Sequence, residues 1–136
     1  MKNTLTLILF AAMVLFITGC GNPKVAGKVV FPDGAPLTTG IVVFESDQNT
    51  YRGTIRNNGT FSMGVLADGE GIPPGDYRVA IMAFSQEDAA VGQDDSEVML
   101  RPLTAPKFAD ARTSGITYTV SGSARNIEFV VERPAD

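Results

Sequence analysis

The strongest constraint on this chain is a two-residue hydrophobic period, broken every few residues by glycine and proline. Val25, Gly27, Val29 and Phe31 alternate with Ala26, Lys28 and Val30. Tyr77, Val79, Ile81 and Ala83 alternate with Arg78, Ala80 and Met82, the clearest case in the chain. Ile116, Tyr118 and Val120 alternate with Thr117 and Thr119, and Ile127, Phe129 and Val131 with Glu128 and Glu132. Side chains spaced this way stand on opposite faces of a strand. Residues 41–44, 51–56 and 60–64 read as further strands, and 98–100 as a short edge strand. Pro32-Asp33-Gly34-Ala35-Pro36, Asn57-Asn58-Gly59, Gly71-Ile72-Pro73-Pro74-Gly75-Asp76 and residues 121–125 supply turns. Residues 85–97 are polar, acidic and small and read as a mobile loop; residues 102–114, with Pro102 and Pro106, read as irregular. No stretch beyond residue 24 holds a 3.6-residue period over three turns. About seven short strands joined by such turns predict an all-β chain, a single antiparallel β-sandwich over residues 25–133. Its expected core is Val29, Phe31, Phe44, Phe61, Tyr77, Val79, Ile81, Phe129 and Val131.

The first twenty residues follow a different rule. Lys2 is a small positive start, and residues 7–17 are an unbroken apolar run of 11. A spanning helix needs about 20 apolar residues, whereas the apolar core of a secretory leader needs only about 7–15. Ile17-Thr18-Gly19-Cys20 closes the run, and Cys20 is the only cysteine in the chain. That tetrapeptide resembles the lipobox of bacterial lipoproteins: an aliphatic residue, a small one, Gly or Ala, then Cys. The resemblance implies a signal peptide over residues 1–19, a diacylglycerol group on the Cys20 thiol, cleavage between Gly19 and Cys20, and acylation of the new amino group. The competing reading is an ordinary leader with an incidental cysteine, or an uncleaved anchor. A lone thiol in an exported chain has no partner, and lipidation explains its isolation. Two or three acyl chains anchor durably where one does not. Residues 20–24 are then a lipidated tether, short enough to hold the domain close to the bilayer. Gly21, in place of the Asp that signals inner-membrane retention in many diderm bacteria, points to sorting to the outer membrane.

With Lys2 removed, ten basic residues face fifteen acidic ones, a net charge of −5. Nucleic acid demands a basic surface, so it is not an expected partner, and neither is a polybasic membrane patch. The membrane contact is lipid rather than charge. The chain has no His and no Trp. A Ser-His-Asp triad, a Cys-His pair and His- or Cys-based zinc sites are excluded by inventory. No internal disulfide can form, so the core must hold the domain by itself.

Two segments carry a resemblance to a fold family. One is Gly27-Lys28-Val29-Val30-Phe31-Pro32-Asp33-Gly34-Ala35-Pro36-Leu37 with Gly40-Ile41-Val42-Val43-Phe44. The other is Asn58-Gly59-Thr60-Phe61 with Ile72-Pro73-Pro74-Gly75-Asp76-Tyr77-Arg78-Val79. Together they resemble the carboxypeptidase regulatory-like, transthyretin-like β-sandwich modules, and the whole chain is similar to short bacterial lipoproteins carrying one such module. That type has no assigned reaction, and a fold does not imply a function. The matching positions make physical sense. Gly34 and Gly59 fall where tight turns need positive φ. Tyr77 opens a core strand where a buried ring with a reachable hydroxyl closes the sandwich end.

Three groups of residues are candidates for chemistry. Glu87, Asp88, Asp94, Asp95 and Glu97 cluster in the 85–97 loop. A glycosidase needs two carboxylates held rigidly apart, which a Gly- and Ala-containing loop does not supply, so a solvated loop is the first expectation. Calcium binding is the second, without the spacing of an EF-hand. Lys28 and Asn126 occupy the places that related adhesin sandwiches join by an isopeptide bond. However, Lys28 lies on the outward phase of its strand and no Glu follows Pro74-Gly75. Residues 107–115 mix charges, hydroxyls and Phe108; they form either a partner-binding loop or a segment that Phe108 pins to the sandwich. The expectation is therefore a non-enzymatic module with no catalytic residues, no metal and no cofactor. It is lipid-anchored through Cys20 at the cell envelope, on the periplasmic or extracellular side, with an envelope protein or a polysaccharide as partner. The alternative is a calcium-dependent carbohydrate-binding module using residues 85–97.

Overall fold

A computed structural model describes residues 21–86 and 100–135. The longer strands form where the two-residue period places them, and shorter ones join them. They are β1 (Val25–Val30), β2 (Ile41–Glu45), β3 (Thr50–Thr54), β4 (Thr60–Ser62), β5 (Gly75–Met82), β6 (Phe84–Gln86), β7 (Leu100–Pro102), β8 (Ile116–Val120) and β9 (Ala124–Val130). One sheet has the order β4-β1-β9, a second β3-β2-β5-β8, and β6 pairs with β7. The two larger sheets pack face to face, so the fold is the all-β sandwich that the alternation predicts.

Among the described residues every pairing is antiparallel except one. Strand β9 runs parallel to β1, with Lys28 opposite Glu128 and Val30 opposite Val130. The reason lies in the turn between β8 and β9, which sits beside the start of β1: the Lys24 N–H donates to Ser123 Oγ and the Ala124 N–H to the Lys24 carbonyl. Strand β9 therefore leaves from the same end as β1 and follows it. The ladder slips between Val25 and Gly27, and a Cβ at Gly27 would collide with the Ile127 carbonyl. Only glycine allows that approach.

All nine expected core residues are buried. Phe61 and Phe129 of the three-stranded sheet stack with centroids 5.7 Å apart, and Phe44 of the facing sheet meets Tyr77 at 5.7 Å and Phe129 at 6.1 Å. Turn residues plug the gaps between the sheets: Leu37, Ile55, Met63 and Ile72 are all buried. Gly34 and Gly59 take φ of +86° and +85° as their turns require.

The sequence reading and the structure part at the short elements. Ser85 and Gln86, at the start of the expected loop, belong with Phe84 to a strand that pairs with Leu100–Pro102. Three residues are too few to display a period. Strand β9 begins at Ala124, inside the stretch read as a turn, because pairing with β1 extends it. The irregular 102–114 stretch contains one 3-10 turn, Pro106–Ala109, with Pro106 at its start. Ala111 then lies on Val43 and Ala80, covering the outer face of the four-stranded sheet. That cover explains why β5 carries alanine and methionine on the phase that points away from the core.

Candidate functional site

The pairing registers divide the sandwich into two ends. Val25, Glu45, Thr50, Gly75 and Val120 all stand at one end, with the turns 46–49, 63–74 and 121–123. The turns 31–40 and 55–59 and the segment leading into β8 stand at the other. The chain enters at the first end, and it is held there tightly. The Pro23 carbonyl accepts the Ile72 N–H at 3.2 Å. The Lys24 N–H reaches Ser123 Oγ at 3.0 Å, and its ammonium donates to the carbonyls of Gly69 at 2.9 Å and Glu70 at 3.1 Å. Pro23 and Lys24, read from sequence as part of the tether, are thus hydrogen-bonded into the domain. Gly21 and Asn22 alone separate the sandwich from position 20, three Cα–Cα steps from Pro23 that span at most ~11 Å. Gly19 and Cys20 themselves lie outside the described residues.

The 63–72 loop beside the entering chain is well braced. The Glu70 carboxylate accepts the Leu66 N–H at 3.0 Å, and Asp68 accepts the Thr54 N–H at 3.3 Å. The N–H groups of Leu66 and then Ala67 hold the Glu70 carboxyl below the usual carboxylate range, with Lys24 adding to the effect. The tip of this loop carries Val65, 46% exposed, and Leu66, 93% exposed. An aliphatic side chain held almost entirely in water on a fixed turn has no packing role within the domain.

One concave surface lies along the open side of the sandwich, where β8 ends one sheet and β9 ends the other. It encloses about 900 Å³. Ile116, Tyr118 and Ile127, half-buried and packed on the core, line it with Phe129; Thr117, Arg125, Asn126 and Glu128 edge it. Two strand edges flanking a floor of mixed polar and apolar side chains suit an extended segment, which can add backbone hydrogen bonds and fit alternate side chains to the floor.

The opposite end has its own cluster. The Arg133 guanidinium lies 4.0 Å from the centre of the Phe31 ring and pairs with Asp33 at 3.2 Å. The Ala35 N–H, and then Arg133, hold the Asp33 carboxyl low. A groove of about 660 Å³ runs between Phe31, Leu37, Leu103 and Arg133.

The remaining sequence candidates separate cleanly. Phe108 is buried in the core, so residues 107–115 are pinned to the sandwich. Ser114 completes the attachment: its buried hydroxyl donates to the Val79 carbonyl and accepts the Ile116 N–H at 3.2 Å. Nothing in the sequence separated this serine from its neighbours, because its role depends on a strand 35 residues away. Lys28 and Asn126 are both exposed, and among the described residues no acid is buried to assist them. The pair is not an isopeptide site. Glu87, Asp88, Asp94, Asp95 and Glu97 lie outside the described residues. Among the described residues, no three potential metal ligands gather. No family model, no curated protein and no solved structure matches this chain.

Proposed function

We propose that this chain is a lipid-anchored protein of the cell envelope whose sandwich is a non-catalytic binding or structural module of the carboxypeptidase regulatory-like, transthyretin-like type. The observation that carries the reading is the leader. A positive start, an 11-residue apolar run and Ile17-Thr18-Gly19-Cys20 place the only cysteine where a lipoprotein signal peptidase would expose it. Cys20 then bears diacylglycerol through its thiol and an acyl group on its amine. Gly21 favours the outer membrane.

Two features support a module that works against the membrane surface. The chain is fixed to the sandwich from Pro23 onward, so the anchor leaves little slack. The cleft between β8 and β9 begins beside the same end, at Ser123 and Ala124. Of the two partner classes expected, an extended protein segment suits this cleft better than a polysaccharide, because both rims are strand edges. Labelled palmitate tests the anchor directly: the protein incorporates it, and Cys20→Ala abolishes incorporation and releases the protein from the membrane. Label retained by Cys20→Ala would overturn the reading. A melting temperature raised several degrees by sub-millimolar Ca²⁺ and restored by EDTA would instead favour the calcium-dependent carbohydrate-binding alternative through residues 85–97.

A further inference from the structure

We propose that Val65 and Leu66 form a second membrane contact, seating the 63–72 loop in the interfacial layer of the bilayer that holds the Cys20 acyl chains. The inference rests on the anchor reading above and adds an orientation to it. Three observations carry it. First, the loop is bonded to the tether itself: Lys24 donates to Gly69 and Glu70, and Ile72 donates to Pro23. Wherever the anchor goes, this loop goes with it. Second, only Gly21 and Asn22 lie between the fixed chain and Cys20, so the end of the sandwich stands within ~11 Å of the acylated residue. The polar layer of each leaflet is itself about 5–8 Å deep, so a projecting loop at this end reaches it.

Third, the exposed aliphatics are distributed unevenly. Of the large exposed apolar residues described, Leu66 is by far the most exposed, at 93%, and with Val65 it stands at the tether end. Phe84, Leu100 and Val130 belong to the other end, beyond the reach of the anchor. The tip is also preformed. Glu70 holds the Leu66 N–H and Asp68 holds the Thr54 N–H, so insertion orders little that is not already ordered. Those two carboxylates make the loop acidic, with Lys24 the cation bonded to it. The contact is therefore apolar insertion, insensitive to salt and not strengthened by anionic lipid.

The test uses the acylated protein reconstituted into phosphatidylcholine vesicles. Acylation blocks the Cys20 thiol, so Leu66→Cys accepts a polarity-sensitive fluorophore at one position, and Thr38→Cys reports on the opposite end. Membrane-embedded quenchers should reduce the position-66 emission at least twofold and leave the position-38 emission unchanged. To exclude insertion driven by the dye, Leu66→Asp is combined with the reporter at Val65→Cys, where it should remove the quenching without changing the melting temperature. Vesicle flotation separates the two ideas. Protein that floats while position 66 remains as unquenched as position 38 overturns the loop contact and leaves the anchor standing. Protein that does not float overturns both.

Discussion

Tyr77 closes one end of the core with both halves of its side chain. Its ring lies 5.7 Å from Phe44 and 6.0 Å from Tyr51, and its hydroxyl donates to the Pro73 carbonyl at 2.6 Å. Burial, and then Tyr51, push the phenol above its ordinary value. A raised pKa on a group that ionises to an anion means that the neutral form is the one the fold holds, and that stability is lost at strongly alkaline pH. Tyr77→Phe keeps the ring and removes the hydrogen bond; it should cost about 1 kcal/mol in urea unfolding. At the acid side the signs reverse. Asp33 is held low chiefly by the Ala35 N–H, Glu70 by the Leu66 N–H and Asp110 by the Arg112 N–H. Their contribution is complete above the unfolded carboxylate range, ~4, and is lost as the pH falls through the depressed folded values. Having no histidine, the chain should show a flat melting temperature between roughly pH 6 and 8, then a decline below about pH 4.5. A transition centred near pH 6.5 would contradict this.

Among the elements, the parallel β1–β9 pair sets the topology, and Gly27 sets the pair. A methyl group there meets the Ile127 backbone, which cannot rotate away. Gly27→Ala should destabilise by at least ~2 kcal/mol, as overpacking at a close approach does, while Gly21→Ala, with open space around it, should change nothing. Equal urea midpoints for the two variants would mean that the close approach is not there. The alternation of β1, β5, β8 and β9 was legible in residues such as Val29, Tyr77, Val79 and Phe129, because a period of two needs only local sequence. The direction of β9 was not legible, since an alternating strand reads the same whichever way its partner runs. Strand β6 was hidden because Phe84, Ser85 and Gln86 become a strand only by pairing with Leu100, Arg101 and Pro102.

At the scale of the whole molecule, one aromatic cluster joins the sheets. Phe129 stacks on Phe61 and touches Phe44 and Tyr118 across the sandwich. With no disulfide available, its loss has no covalent compensation: Phe129→Ala should cost about 3–5 kcal/mol, read from the urea midpoint. The polarity of the molecule was only half legible in sequence. The apolar run before Cys20 carries the proposed anchor, but which turns lie beside it depends on Lys24 bonding to Gly69, Glu70 and Ser123, contacts no local pattern records. Leu66 had no distinguishing signal in the sequence; it stands out only because the fold leaves it in water.

The sequence alone determined that the described chain is all-β, which side chains face inward, where glycine must turn the backbone, and that a lone cysteine follows an apolar run. These are consequences of local spacing and residue chemistry. The tertiary structure alone decided that the first and last strands run side by side in one direction, that Ser114 ties a distant segment to the second sheet, and that the entering chain is fastened to the 63–72 loop. Those are meetings of residues far apart in the chain, and they are set by the closing of one common core, which no local pattern records.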